Sequence, residues 1–184
     1  RSTKAGAALL DGAANPNLAD RTGTTPLHVA SANGNVELIR ALLAKGANPN
    51  AATVRIRRGT GGILRTRTAG ETPLFLAARA GNLDAMRALL DAGANPKAKA
   101  ADKSTFLMAA VGSAKVAAVT LAYQFDNDVK AVTADGTTLM HASVTGTANG
   151  GTLQAQERVC EVIQFLADKG APIDELNAAG RTPI

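Results

Sequence analysis

Apolar side chains recur three and four residues apart in short bursts, and stretches rich in glycine, asparagine and proline separate the bursts. Leu38, Ile39, Leu42 and Leu43 form one such stripe. It predicts a helix over about Val36 to Lys45, ended by Gly46, the residue type that accepts a left-handed cap. A shorter helix over about Pro26 to Ala32 precedes it and ends near Asn33-Gly34. Further along, about Ala114 to Gln124 reads as a helix with an irregular end. Leu153 to Lys169 reads as a longer one, with Val159, Val162, Ile163 and Leu166 turned inward. Two stretches alternate with period two instead: Val54-Arg55-Ile56-Arg57 and Leu64-Arg65-Thr66-Arg67. Gly59-Thr60-Gly61-Gly62 lies between them, so a β-hairpin is the natural expectation there.

The bursts carry repeated phrases. Gly23-Thr24-Thr25-Pro26-Leu27-His28-Val29-Ala30 returns as Gly70-Glu71-Thr72-Pro73-Leu74-Phe75-Leu76-Ala77, and more weakly as Gly136-Thr137-Thr138-Leu139-Met140-His141-Ala142. It begins again at Gly180-Arg181-Thr182-Pro183. A second phrase, Ala41-Leu42-Leu43-Ala44-Lys45-Gly46-Ala47-Asn48-Pro49, returns at Ala88 to Pro96 and at Phe165 to Pro172, with a partial copy from Ala8 to Asn17. Thr25 and Thr72 suit helix N-caps, and Pro26 and Pro73 suit a first turn, where a missing donor costs nothing. The small residues Ala30, Ala77, Ala109 and Ala142 are expected to let paired helices approach closely. One such pair cannot bury its stripe alone, so neighbours must stack.

On these residues the chain resembles the ankyrin-repeat family. The phrase Thr-Pro-Leu-His-x-Ala is complete at Thr25 to Ala30, and Leu-Leu-x-x-Gly-Ala follows it. The resemblance implies an all-α solenoid of stacked helix-turn-helix units joined by turn fingers. It further implies a concave face that binds other proteins and no catalysis or cofactor of its own. It divides the chain as one array: a partial repeat over 1–19, units over about 20–50, 51–97, 98–130 and 131–174, and the start of another over 175–184. From Thr25 to Thr72 the spacing is 47, against about 33 for an ankyrin unit, which places an insertion, the hairpin finger, at about 53–67 of the second full unit. A second insertion falls at about 145–156, with Thr145 to Thr152 read as loop. The third unit, at Ser104-Thr105-Phe106-Leu107-Met108, lacks the Pro and His, and Tyr123 to Asp128 replaces its Gly-Ala-Asn-Pro.

Composition narrows the chemistry. Of 184 residues, 46% are hydrophobic and 19% charged, which argues against a disordered chain. No stretch is apolar enough to span a membrane. Cys160 is the single cysteine, so no internal disulfide forms; on the long helix it reads as a small core residue. Without Arg55, Arg57, Arg58, Arg65 and Arg67 the chain would hold 15 basic and 15 acidic residues, so its net charge of +5 is local to one insertion. Cross-strand pairing would gather Arg55, Arg57, Arg65 and Arg67 on one face, where like charges repel. The cluster either meets an acidic partner or keeps an exposed ribbon from pairing with other chains. The Ala, Gly and Arg richness matches a GC-rich bacterial genome.

Catalytic and ligand-binding patterns are thin. The two histidines and one cysteine lie too far apart for a zinc site of usual spacing. The glycines of the insertion are not followed by the Lys-Ser/Thr of a phosphate loop, and Asp126-Asn127-Asp128 lacks the glycine and terminal glutamate of a calcium loop. By the resemblance, His28 bridges neighbouring loops. His141 is read one place beyond the motif histidine, as a satisfied core residue. Phe75, Phe106, Phe125, Phe165 and Tyr123 read mostly as core, so no stacking platform accompanies the arginines and nucleic acid is the weaker partner. The expected partner is another protein, or another domain of the same chain, with an acidic patch. Candidate contacts are Arg55, Arg57, Arg58, Arg65 and Arg67, with Arg21, Thr22, Thr24, Ala32, Asn33, Glu71, Arg79, Asp102 and Lys103 at the family's variable positions. The alternative is a structural spacer in a larger, multidomain and possibly enzymatic protein, because neither end shows a polar capping face.

Overall fold

The computed structural model describes residues 14–54, 69–145 and 153–183. Within them the chain forms α1 (Pro26–Ala32), α2 (Val36–Ala44), α3 (Pro73–Arg79), α4 (Leu83–Asp91), α5 (Phe106–Val111), α6 (Val116–Phe125), α7 (Leu139–Thr145) and α8 (Leu153–Asp168). Each odd-numbered helix packs on the even-numbered one that follows it. The odd helices also pack in series, α1 on α3, α3 on α5 and α5 on α7, and the even helices do the same. Two parallel rows result, and one continuous core runs between them. Leu27, Leu74, Phe75, Phe106, Leu107, Leu139 and Met140 supply the first row, and Ile39, Leu42, Met86, Leu89, Val119, Val162 and Leu166 the second.

Local chemistry sets the boundaries. Thr25, Thr72 and Thr105 stand in extended conformation just before α1, α3 and α5, with Pro26 and Pro73 in the first turn of α1 and α3. Asn35 and Asn82 cap α2 and α4, accepting from the backbone N–H of Leu38 and Ala85 at 3.1 Å each. Three of the four second helices, α2, α4 and α8, end alike. Gly46, Gly93 and Gly170 sit at φ of +84°, +83° and +80°. The residue after each, Ala47, Ala94 or Ala171, donates back to the carbonyl of Leu42, Leu89 or Leu166 at 2.9, 2.9 and 3.0 Å. This is the Schellman arrangement, which satisfies carbonyls that a helix end would leave bare.

A ladder of asparagines ties these helix ends together. Asn17 donates to Gly46 O (2.9 Å) and accepts from Asn48 N (2.7 Å). One unit on, Asn50 donates to Gly93 O (3.0 Å) and accepts from Asn95 N (2.7 Å). The next position of the series is Lys97, which cannot accept, and the ladder stops there.

Several expectations need correction. Cys160 is exposed. Val162 and Leu166 define the buried side of α8, and two residues along a helix is about 200° around it, so Cys160 faces away. Phe125 is not core but 42% exposed, because α6 ends at that residue. In two units the close-approach position lies one residue beyond the expected Ala109 and Ala142. Counted from the capping threonines, the counterparts of Ala30 and Ala77 are Ala110 and Ser143, both fully or almost fully buried. Ala142 is only half-buried. Apart from an isolated antiparallel bridge between Val132 and Thr138, no strand occurs among the described residues. The hairpin expected between Val54 and Arg67, with Arg55, Arg57, Arg58, Arg65 and Arg67, lies outside them. So does 146–152 of the second insertion, while α7 takes in Thr145.

Candidate functional site

Of the proposed contacts on described residues, Arg21, Thr22, Thr24, Glu71, Asp102 and Lys103 stand in the turn fingers. Successive fingers are joined by backbone bonds: Val54 N to Thr22 O (2.8 Å), Ala101 N to Ala69 O (2.7 Å), Ala134 N to Asp102 O (2.7 Å) and Ala178 N to Asp135 O (3.0 Å). Within a finger, one carboxylate organises the turn. Asp20 accepts from Thr22 N (2.8 Å), the Thr22 hydroxyl (2.6 Å) and Thr24 N (2.9 Å). The Thr22 hydroxyl, followed by the Thr24 N–H, holds its pKa below the ordinary aspartate value. Asp102 accepts from the Ser104 N–H and hydroxyl at 2.9 and 2.6 Å. Asp135 does the same work with Thr133 and Thr137, and the Thr133 hydroxyl is the main reason its pKa is lowered.

His28 is the hinge between the first finger and the second. Its Nδ1 accepts from Thr25 N at 3.1 Å, so the proton sits on Nε2, which donates to Glu71 O at 3.1 Å across 43 residues of sequence. Burial pushes its pKa below the usual histidine value, against smaller opposing effects led by the Glu71 carbonyl. His141 repeats this arrangement and corrects its assignment as a residue one place beyond the motif. Its Nδ1 accepts from Thr138 N at 3.4 Å, and Nε2 donates to Arg181 O at 2.9 Å. It stands three residues after its capping threonine, as His28 does, so it is the motif histidine of the fourth unit. In the second unit Phe75 fills the position, and the buried Thr72 hydroxyl has no partner among the described residues.

The candidate contacts fall into three groups. Arg21, Thr22, Asn33, Arg79 and Lys103 are exposed, whereas Thr24, Ala32 and Asp102 are half-buried and Asp102 is engaged in its own turn. Glu71 is different: its side chain is 2% exposed and bound to Arg79, itself 48% exposed. Glu71 Oε2 has no partner among the described residues. It therefore positions Arg79 and offers nothing at the surface. The arginines of the insertion lie outside the described residues. Sequence reasoning missed the Glu71–Arg79 pair, although an acid eight residues before a base across a helix start is too loose a signal to find it. Among the described residues no three His, Cys, Asp or Glu side chains gather as metal ligands. No described helix is long and apolar enough to cross a membrane.

Helix pairs stacked in two rows and linked by capping side chains from unit to unit define a repeat solenoid, a fold whose units contact only their neighbours. Two family models match: "Ankyrin repeat" over residues 22–54 and "Ankyrin repeats (3 copies)" over 56–132. The chain belongs to the ankyrin-repeat family, whose members are generally protein–protein interaction modules and typically non-catalytic. A search of curated proteins finds no match.

Proposed function

We propose that this chain is a non-catalytic binding module that recognises an acidic patch on another protein, or on another domain of its own chain, through the finger edge and the Arg-rich insertion. One observation carries the reading. His28, His141, Asp20 and Asp135 are spent on holding the fingers, while Arg21 and Lys103 in the fingers and Arg79 at the end of α3 are exposed cations. Lys103 adds weight: it holds φ at +66°, where the matching fingers have Gly23, Gly70, Gly136 and Gly180. An L residue holds that conformation at about 1–2 kcal/mol, so the third finger presents a cation where its counterparts present none.

The test is association kinetics with a captured partner. Replacing Arg55, Arg57, Arg58, Arg65 and Arg67 with Ser should slow association strongly and flatten its salt dependence, with less change in dissociation. Unchanged rates and salt response would remove the insertion from the interface. A duplex nucleic acid partner would instead show a log–log salt slope no steeper than about −4.5, from five phosphate contacts.

A further inference from the structure

The asparagine ladder ends where the second unit meets the third, and its end leaves a cavity. A half-open depression of about 220 Å³ there is lined by Lys97, Ala98, Lys99, Thr105, Phe125, Asp126, Asn127 and Asp128. Each ingredient is a departure from the repeat. Lys97 stands where Asn17 and Asn50 bridge to the next helix end, and Asp126 and Asp128 stand where Gly93 and Asn95 would receive the bridge. With no Schellman turn, α6 ends in an extended Asp126, and Phe125 is left 42% exposed beside the opening.

The charges around the space are not consumed by one another. Asp126 accepts from Leu107 N at 3.4 Å, and Asp128 accepts from Lys130 N at 3.3 Å. No ion pair joins Lys97 or Lys99 to either carboxylate; the ion pair found among the described residues is Arg79–Glu71. A lone anion would be attracted by the lysines and repelled by Asp126 and Asp128. A lone cation would meet the reverse. The walls fit an occupant carrying both signs with an apolar body between them.

We infer that this groove, at the foot of the third finger, is a second binding site for an extended segment of a partner polypeptide. An acidic residue of the segment faces Lys97 and Lys99, an apolar side chain rests on the Phe125 ring, and a basic residue faces Asp128. A free amino acid satisfies the charge rule poorly, because its two charges sit on one carbon and its apolar group does not separate them.

The test uses the full chain, isotope-labelled for amide NMR, titrated with blocked tetrapeptides of Asp-Leu-Leu-Lys, Asp-Leu-Leu-Asp, Lys-Leu-Leu-Lys and Ser-Leu-Leu-Ser, and with free leucine. The mixed-charge peptide should give saturable shifts confined to residues 95–99 and 124–129, with Kd at least about tenfold below that of the other three. Lys97→Asn restores the ladder amide and should abolish the shifts while raising the melting temperature, which separates loss of binding from loss of fold. Lys99→Ser should weaken binding about tenfold with an unchanged melting temperature. Equal binding of all four peptides, preference for free leucine, or full binding by Lys97→Asn would each overturn the inference.

Discussion

The second and third units are built on the same spacing, 33 residues from Thr72 to Thr105, yet they are punctuated in opposite ways. In the second, Gly70 turns the finger, Gly81 turns between helices, Asn82 caps α4 and Gly93 ends it. In the third the same places hold Lys103, Ala114, Lys115 and Asp126. Lys103 and Ala114 are still driven to φ of +66° and +54°. Lys115 caps no N–H; its Nζ reaches back instead to the carbonyls of Ala80 and Gly81, at 3.1 Å each. The neighbours dictate the path of the third unit, because its own residues do not favour it. Backbone geometry in a stacked array is therefore partly borrowed: a unit with good caps holds a unit with poor ones in shape.

The core gives the sharpest way to break this comparison. Leu89 is fully buried on α4, and the matching residue on α6 is Ala122. Leu89→Ala gives the second unit the third's smaller core residue and should cost about 2–5 kcal/mol in urea unfolding. Hydrogen exchange should loosen α2, α4 and α6 and leave α8 nearly as protected as before. Uniform loosening of every helix would show that the array unfolds as one block and that nothing is borrowed locally.

A smaller effect tests the helix ends. Gly93→Ala places a Cβ at φ +83°, with no atom within 4 Å to clash, so only the backbone conformation is penalised, by about 1–2 kcal/mol. If the second unit's caps support the third, amides of α6 should exchange faster in this variant although no contact of theirs has been touched. Protection unchanged at α6 would confine the cap's value to its own helix.

The smallest effect separates the first unit from the second through pH. His28 is held neutral by burial, whereas Phe75, its counterpart, does not titrate. Its folded pKa lies below the unfolded value of about 6.5, so on acidification the unfolded chain takes the proton first. The stabilisation is complete above about pH 6.5 and is lost as pH falls from there toward the folded pKa. His28→Phe should therefore show a shallower loss of stability between pH 7.5 and pH 5.5 than the unmodified chain. Parallel curves would mean that His28 takes up its proton at the same pH in the folded and the unfolded chain.

Helix positions could be read in advance because the punctuation is chemical. Thr-Pro, Asn-Gly and Gly-Ala each do one job at a helix boundary, and α1, α2 and α8 fall within a residue of their expected limits. Sequence and structure part where a residue's role depends on distance from a cap and not on type. Counting from Thr138 makes His141 the motif histidine and puts Ser143, not the expected Ala142, at the close-approach position. Residue type alone points Phe125 and Cys160 inward, and the end of α6 and the exposed side of α8 overrule it. The Glu71–Arg79 pair and the groove at Lys97 depend on contacts between units, which no local pattern encodes.

The backbone bonds at the foot of the second finger have one more consequence. Thr53 N donates to Glu71 O (3.0 Å) and Gly70 N donates to Thr53 O (2.7 Å), so the chain is clasped on both sides of the long insertion. Val54 reaches the preceding finger and Ala69 the following one, and stacking is completed by residues that bracket the insertion. Closing a longer loop on such a clasp costs only about 0.6 kcal/mol for each doubling of its length. The array thus has a socket at which a segment can be lengthened, shortened or exchanged while every helix keeps its neighbours. For anyone engineering this chain, that junction between Val54 and Ala69 is the place to graft a foreign recognition loop.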